Sequence, residues 1–361
     1  MKKGLVCWQG MLVAVLALGM SSVSFAAKDP VFATVAKGQS LRIDGQLQYR
    51  FMAEQKDPDE DKADADVKDV REFGWERARI NFAGDLNDNI YYQFRLDFGG
   101  SPDNTKLSST YLGYHLGKAG NLEIGRFTLN GHHRPSSKRM VFAERATHIR
   151  RTNLNAQQGI KWDSGKLAKG RAFIEGGIYN GNGDEIGNDN DKFKYAIRAQ
   201  VSPNEKFPFT TESDLKHSDW AVGVEGGVWT DKAGADEDKQ TAFGAAIMLL
   251  GKGLYATAEY SKLTDDSLDD DLMGFSGQLS YAIALPAKMF LEPKVRYETY
   301  ENHNKKVTHA EYENAWTTVG VNWFVQKYDA SFQFDYIMKA EKGDAEEIDN
   351  NIFIAQANLL F

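Results

Sequence analysis

Leu41-Arg42-Ile43-Asp44-Gly45-Gln46-Leu47-Gln48-Tyr49-Arg50-Phe51 alternates without a break. Successive side chains of a β-strand point to opposite sides. Leu41, Ile43, Gly45, Leu47, Tyr49 and Phe51 therefore share one face, and Arg42, Asp44, Gln46, Gln48 and Arg50 share the other. A soluble sheet seldom sustains this over so long a strand with two arginines on the polar side. The wall of a transmembrane barrel requires it, because one face meets lipid and the other a watery lumen over about ten residues.

The pattern recurs. Phe193, Tyr195, Ile197, Ala199 and Val201 oppose Lys194, Arg198, Gln200 and Ser202. Met289, Leu291, Val295 and Tyr297 oppose Glu292, Lys294, Arg296 and Glu298. Tyr328, Ala330, Phe332, Phe334 and Tyr336 oppose Asp329, Ser331, Gln333 and Asp335. Such segments lie near 40–52, 75–86, 90–99, 108–117, 121–127, 157–164, 170–180, 193–202, 220–229, 240–250, 254–262, 272–282, 289–300, 314–325, 328–339 and 350–361. The fold class is therefore all-β: a transmembrane antiparallel β-barrel of about 16 strands. Short turns at Asn87–Asn89, Lys118–Gly120, Gly251–Gly253 and Gln326–Lys327 alternate with longer polar loops, as short periplasmic turns and long external loops do. The stretch 203–219 fits neither class and reads as a long turn or as displaced strand residues.

Composition agrees. The 361-residue chain has a mean hydropathy of -0.50, and no run after the first segment is long and apolar enough for a spanning helix. A barrel resolves this, since only alternate residues need be apolar. Lys2 and Lys3, the apolar stretch Leu5–Leu18 and the small residues Ser24 and Ala26 read as a signal peptide over 1–26. A periplasmic segment over 27–39 and the barrel over 40–361 follow. The single cysteine, Cys7, lies in the leader, which excludes disulfides and thiolate chemistry from the mature chain. The formal charge of -8 gives no support for nucleic-acid binding. Phe361 ends an amphipathic last strand (Phe353, Ala355, Ala357, Leu359) and resembles the recognition signal of the barrel assembly machinery.

Most loops are acidic, but the longest, Thr128 to Ala156, is basic. It holds Arg134, Lys138, Arg139, Arg145, Arg150 and Arg151 against Glu144 alone, with His132, His133 and His148. It follows the fifth strand, where a sixteen-stranded porin folds its third long loop inward. Inside a confined aqueous channel these cations lower the energy of an anion; outside, they would meet lipopolysaccharide. Parity also turns Arg42, Arg50, Arg77, Arg79, Arg95, Arg171, Lys194, Arg198, Lys294 and Arg296 toward the lumen, together with acids such as Asp44, Asp97, Glu123, Glu175, Glu225 and Glu292.

Glu76-Arg77-Ala78-Arg79-Ile80-Asn81-Phe82-Ala83-Gly84 resembles the arginine-rich second strand of the phosphate-selective porin O/P family. Leu122–Phe127, Phe142–Ala146, Ile178–Gly183 and Gly320–Phe324 resemble further segments of it. The resemblance implies a trimer of sixteen-stranded barrels in the outer membrane of a Gram-negative bacterium, with Arg77 and Arg79 on the anion path and Arg145 anchoring the loop. Asn130-Gly131-His132-His133-Arg134-Pro135 departs from the proline-rich, acidic constriction loop of phosphate-selective members. The expectation is a passive, non-enzymatic porin for small hydrophilic solutes that prefers anions such as phosphate, among outer-membrane lipids and lipopolysaccharide. Its pore-lining residues are Arg77, Arg79, Arg95, Arg134, Lys138, Arg139, Arg145 and Arg198, with no cofactor or metal. A barrel phospholipase is the alternative that would use a serine with His115, His132, His133 or His148, although no Gly-x-Ser-x-Gly occurs. A barrel sheathing a partner protein is another.

Overall fold

The structure, a computed structural model, describes residues 31–33, 38–55, 69–99, 105–128, 136–154, 156–181, 191–205, 207–233, 238–266, 270–304, 312–342 and 351–361. The segment 1–26 expected to be a signal peptide, and Arg134, His132 and His133, fall outside the described residues. Sixteen long strands form the wall. In chain order they are β1 Leu41–Glu54, β2 Val70–Asp85, β3 Ile90–Asp97, β4 Lys106–His115, β5 Asn121–Thr128, β6 Ala156–Asp163, β7 Ala172–Tyr179 and β8 Lys194–Val201. They continue as β9 Ala221–Ala233, β10 Asp238–Gly251, β11 Leu254–Asp265, β12 Asp270–Tyr281, β13 Phe290–Asn304, β14 Tyr312–Gln326, β15 Ala330–Lys342 and β16 Ile352–Leu360. Two short pieces, Val31–Ala33 and Ile283–Ala284, pair beside β1 and β13.

Every wall strand pairs antiparallel with its chain neighbour, and β16 pairs with β1 from Ile352↔Glu54 to Leu360↔Gln46. Closure removes the exposed sheet edge, so no backbone polar row faces lipid. The seam is finished by Phe361, whose N–H reaches Gly45 O at 3.3 Å while Gly45 N–H reaches Phe361 O at 2.7 Å. A Cβ on Gly45 would stand 2.2 Å from Phe361 Cζ, so the glycine leaves room for the terminal ring.

The expected alternation is what forms these strands. Phe243, Ile247, Phe275, Leu279, Val295, Tyr297 and Val319 point outward and are exposed, while Glu292, Asn322 and Asp335 point inward and are buried. An apolar outside around a polar inside is the reverse of a soluble domain. Aromatic side chains mark the rims, with Tyr49, Phe73 and Trp75 near the long-loop end and Tyr114, Trp162, Tyr281 and Phe361 near the short-turn end.

Three local expectations change. β2 starts at Val70 rather than near 75, and a bulge between Gln48 and Tyr49 of β1 leaves Glu76 unpaired. One extra residue on a strand breaks strict parity, and Glu76 joins the luminal Arg50 and Arg77 at 3.3 and 3.1 Å. Arg171 lies in the turn before β7, exposed, 3.6 Å from Glu205, not on the luminal face of a strand. The stretch 203–219 contributes no strand; it is a long turn at the short-turn end, and part of it is buried inside the barrel. The wall is also uneven: β3 to β8 have 8 to 10 residues each, whereas β9 to β15 have 12 to 15.

Candidate functional site

After β5 the chain folds into the lumen. Backbone amides there need partners, and the inner wall supplies them from side chains. Val141 O accepts from Lys294 Nζ at 2.6 Å and Asn322 Nδ2 at 2.9 Å. Met140 O accepts from Gln333 at 2.9 Å, and Glu144 O from Arg296 at 2.7 Å. Ala143 N–H donates to Asp335 at 2.7 Å, and Thr147 N–H to Glu298 at 3.0 Å. The Glu144 carboxylate contacts Arg50 of β1. The loop then forms a short helix, α1, Thr147–Thr152, which packs on β11 and β12. His148, fully buried, sits 2.7 Å from Ser261 Oγ and 2.9 Å from Ser276 Oγ. It is thus a luminal anchor, not a residue of the outer wall, as the phospholipase reading needs. The described part of the basic loop, 136–154, is therefore inside the barrel.

A second segment enters from the opposite mouth. Phe207 and Leu215 bracket the buried run Thr211-Glu212-Ser213-Asp214. Glu212 carries the junction: its Oε2 accepts Val141 N–H at 2.9 Å and its Oε1 accepts Gln278 at 2.8 Å. Ser213 donates to Glu292, and Asp214 accepts Gly253 N–H at 2.8 Å. Val141, Phe142, Phe207, Met248, Leu250 and Tyr255 close into one apolar cluster. Sequence reasoning missed this inner turn; its only signal was a connection too long for its end of the barrel.

The loop's buried residues, Met140 to Ala143 and Ala146 to Ile149, face the β10–β15 side. Its more open residues Ser137 and Lys138 face β1 and β2. Several cations stand on the β1–β4 side, which the loop's buried face leaves uncovered. Arg77 donates to Gln48 Oε1 at 2.6 Å and lies 3.1 Å from Glu76. Arg79 pairs with Asp97 at 2.5 Å and reaches Ser137 Oγ at 3.2 Å. Lys138 pairs with Asp44 at 2.7 Å. Arg95, opposite Ser109, makes no hydrogen bond or ion pair with any described residue. Arg139 is exposed, donates to Thr211 at 3.2 Å and lies 5.3 Å from the centroid of the Tyr328 ring. Burial, then the nearby Arg77, pushes the Arg145 guanidinium below its ordinary value, yet it stays charged near neutral pH. Arg198 stands apart: it is buried on β8 between Glu175 at 2.9 Å and Glu225 at 3.1 Å, with its charge matched on both sides. Among the described residues no group of acids, histidines and cysteines could hold a metal ion.

A closed sixteen-stranded wall, apolar outside and charged inside, with a loop drawn across its lumen, is the architecture of a porin of the Gram-negative outer membrane. Residues 43–208, from β1 through the inward loop to the start of the inner turn, match the model of phosphate-selective porin O and P, so the resemblance read from the motifs holds there. The anion-selective porin of Comamonas acidovorans superposes with a TM-score of 0.57 at 12% identity, covering 90% of this chain and 100% of that one. The outer membrane channel DcaP of Acinetobacter baumannii gives 0.59 at 14%, covering 91% and 99%. OmpT of Vibrio cholerae in its trimer form gives 0.54 at 14%, covering 90% and 100%. At these identities the likeness is one of fold. An uncharacterized protein of Aquifex aeolicus (strain VF5) is 29% identical over 113 residues, 31% of this chain, and the match spans only 27% of that relative's length.

Proposed function

We propose that the barrel is a passive channel for small hydrophilic solutes that prefers anions such as chloride and phosphate, and that it works as a homotrimer with one pore per subunit. The observation that carries the reading is the gathering of Arg77, Arg79, Arg95, Lys138 and Arg145, with Arg42 and Arg50 beside them, against the acids Glu76, Asp97, Asp44, Glu144 and Glu212, which offset them only in part. In a narrow aqueous path each fixed cation lowers the energy of a passing anion and raises that of a cation, without the ligation that would trap it. Arg134 belongs to the same loop in sequence and lies outside the described residues. Arg198 has no part in this, because two carboxylates hold it. The trimer form of the Vibrio cholerae neighbour and the low wall of β3–β8 support the assembly. Sheathing of a partner protein is disfavoured, since two segments already cross the lumen.

The test is the reversal potential of the refolded protein in a planar bilayer under a potassium chloride gradient. A chloride-favouring potential is expected. A potassium-favouring potential would transfer control to the luminal carboxylates.

A further inference from the structure

The open wall carries rings as well as charge. On β4 the inner face presents Tyr111, Gly113 and His115. Gly113 has no side chain, and the Tyr91 ring from β3 lies over it. Tyr91 Cζ, Cε2 and Cε1 are 2.1, 2.3 and 2.4 Å from where a Gly113 Cβ would stand, so the ring lies flat on the wall. His115 stacks on Tyr91 with centroids 4.6 Å apart and planes 24° from parallel. Tyr111 meets Tyr91 edge-on at 6.2 Å and 85°. The Tyr91 hydroxyl donates to Glu123 at 2.9 Å, and Glu123 is itself neutralised by Lys161 at 2.5 Å. The platform is thus fixed, and the carboxylate that holds it is matched by a lysine. Tyr91 and Tyr111 are half-buried, and His115 is exposed.

Arg95 lies one diagonal step from Tyr111. It follows Gln93 by two residues on the same face of β3, and Gln93 accepts the Tyr111 hydroxyl at 3.4 Å. Diagonal neighbours on one face of an antiparallel sheet are about 7–8 Å apart, within reach of long side chains. Asp44 and Asp97 act on the guanidinium from a distance, but no carboxylate of the described residues forms a hydrogen bond or close ion pair with it, although a bidentate one is what it suits best.

We propose that this wall binds aromatic carboxylates, the ring settling against Tyr111 and the edge of Tyr91, which His115 backs, while the carboxylate pairs with Arg95. The proposal rests on the anion-channel reading and names a solute class for it. Chloride uses only the charge, an aliphatic acid only Arg95, and a neutral ring only the platform.

The experiment uses the refolded full-length barrel in planar bilayers, with chloride current recorded while benzoate, acetate or benzamide is added. Benzoate is expected to interrupt the current at about tenfold lower concentration than acetate, the advantage that ring contacts of this geometry provide. Benzamide is expected to act no better than acetate. Tyr91→Leu is expected to bring benzoate to the level of acetate, whereas Tyr91→Phe, which keeps the ring, retains most of the difference. Arg95→Gln weakens both acids. Equal action of benzoate and acetate on a chloride-selective wild-type channel overturns the site and leaves the channel reading intact. Equal action of benzoate and benzamide overturns the role of Arg95. A potassium-selective or non-conducting barrel overturns the channel reading first and the site with it.

Discussion

Replacing Arg77 and Arg79 together by Ala tests the origin of selectivity. In the proposed channel both side chains line the passage, and both bond to neighbours that hold them in place, Gln48 and Asp97. A unit charge about 7 Å from a permeating ion in water contributes about 0.6 kcal/mol. Two such charges favour an anion by about 1.2 kcal/mol and disfavour a cation by as much, so their loss moves the chloride-to-potassium balance by about 2.4 kcal/mol. At 0.1 M salt the Debye length of about 10 Å halves this to about 1.2 kcal/mol, a roughly sevenfold fall in the permeability ratio. At 1 M, where the length is about 3 Å, the difference nearly vanishes. The pairing of Arg79 with Asp97 does not protect the ratio, because removing the arginine uncovers the acid. The assay is reversal potential at the two salt concentrations, on protein shown by heat-modified gel mobility to be folded. A ratio that stays within twofold of wild type at 0.1 M refutes the assignment, and an equal fall at both concentrations refutes the electrostatic cause.

Two further outcomes follow from the same contacts. Lys294 and Asp335 are buried 2.6 Å apart, and Asp335 also holds Ala143 N–H. Asp335→Ala leaves a buried charge unpaired and is expected to cost about 3–5 kcal/mol in denaturant unfolding, with Lys294→Met in the same chain recovering much of the loss; an unchanged midpoint for the single variant contradicts this. Gly45→Val places side-chain atoms where the Phe361 ring lies and is expected to cut the refolding yield several-fold; normal yield would detach the terminal ring from closure of the barrel.

The strands were legible because each carries its own evidence. Lipid on one side and water on the other impose period two on any ten residues, and β1, β8, β13 and β15 show it plainly. The inward course of the basic loop was legible only as one of two readings, since charge alone does not separate a lumen from an outer surface. What escaped depends on long-range register. Arg198 looked like any luminal arginine until β7 and β9 brought Glu175 and Glu225 beside it. Glu76 took its luminal place through a bulge that parity does not foresee. The inner turn was invisible because Glu212 finds Val141 across 71 residues of chain, and neither segment has a periodic pattern. The platform at Tyr91 depends on Gly113 being directly opposite, which is again a matter of register.

The uneven wall has a consequence for the bilayer itself. An eight-residue strand rises about 27 Å along its axis, and the usual barrel tilt reduces its height to about 20 Å. The apolar band of such barrels is about 25 Å tall, so the side formed by β3–β8 falls short while the side formed by β9–β15 exceeds it. A lone barrel is then a wedge: lipid must thin along one flank and stretch along the other, at a cost of fractions of a kcal/mol for each ångström of mismatch. Turning the low flanks toward one another removes the thinned lipid altogether, so the membrane's resistance to deformation would itself draw copies of this chain together.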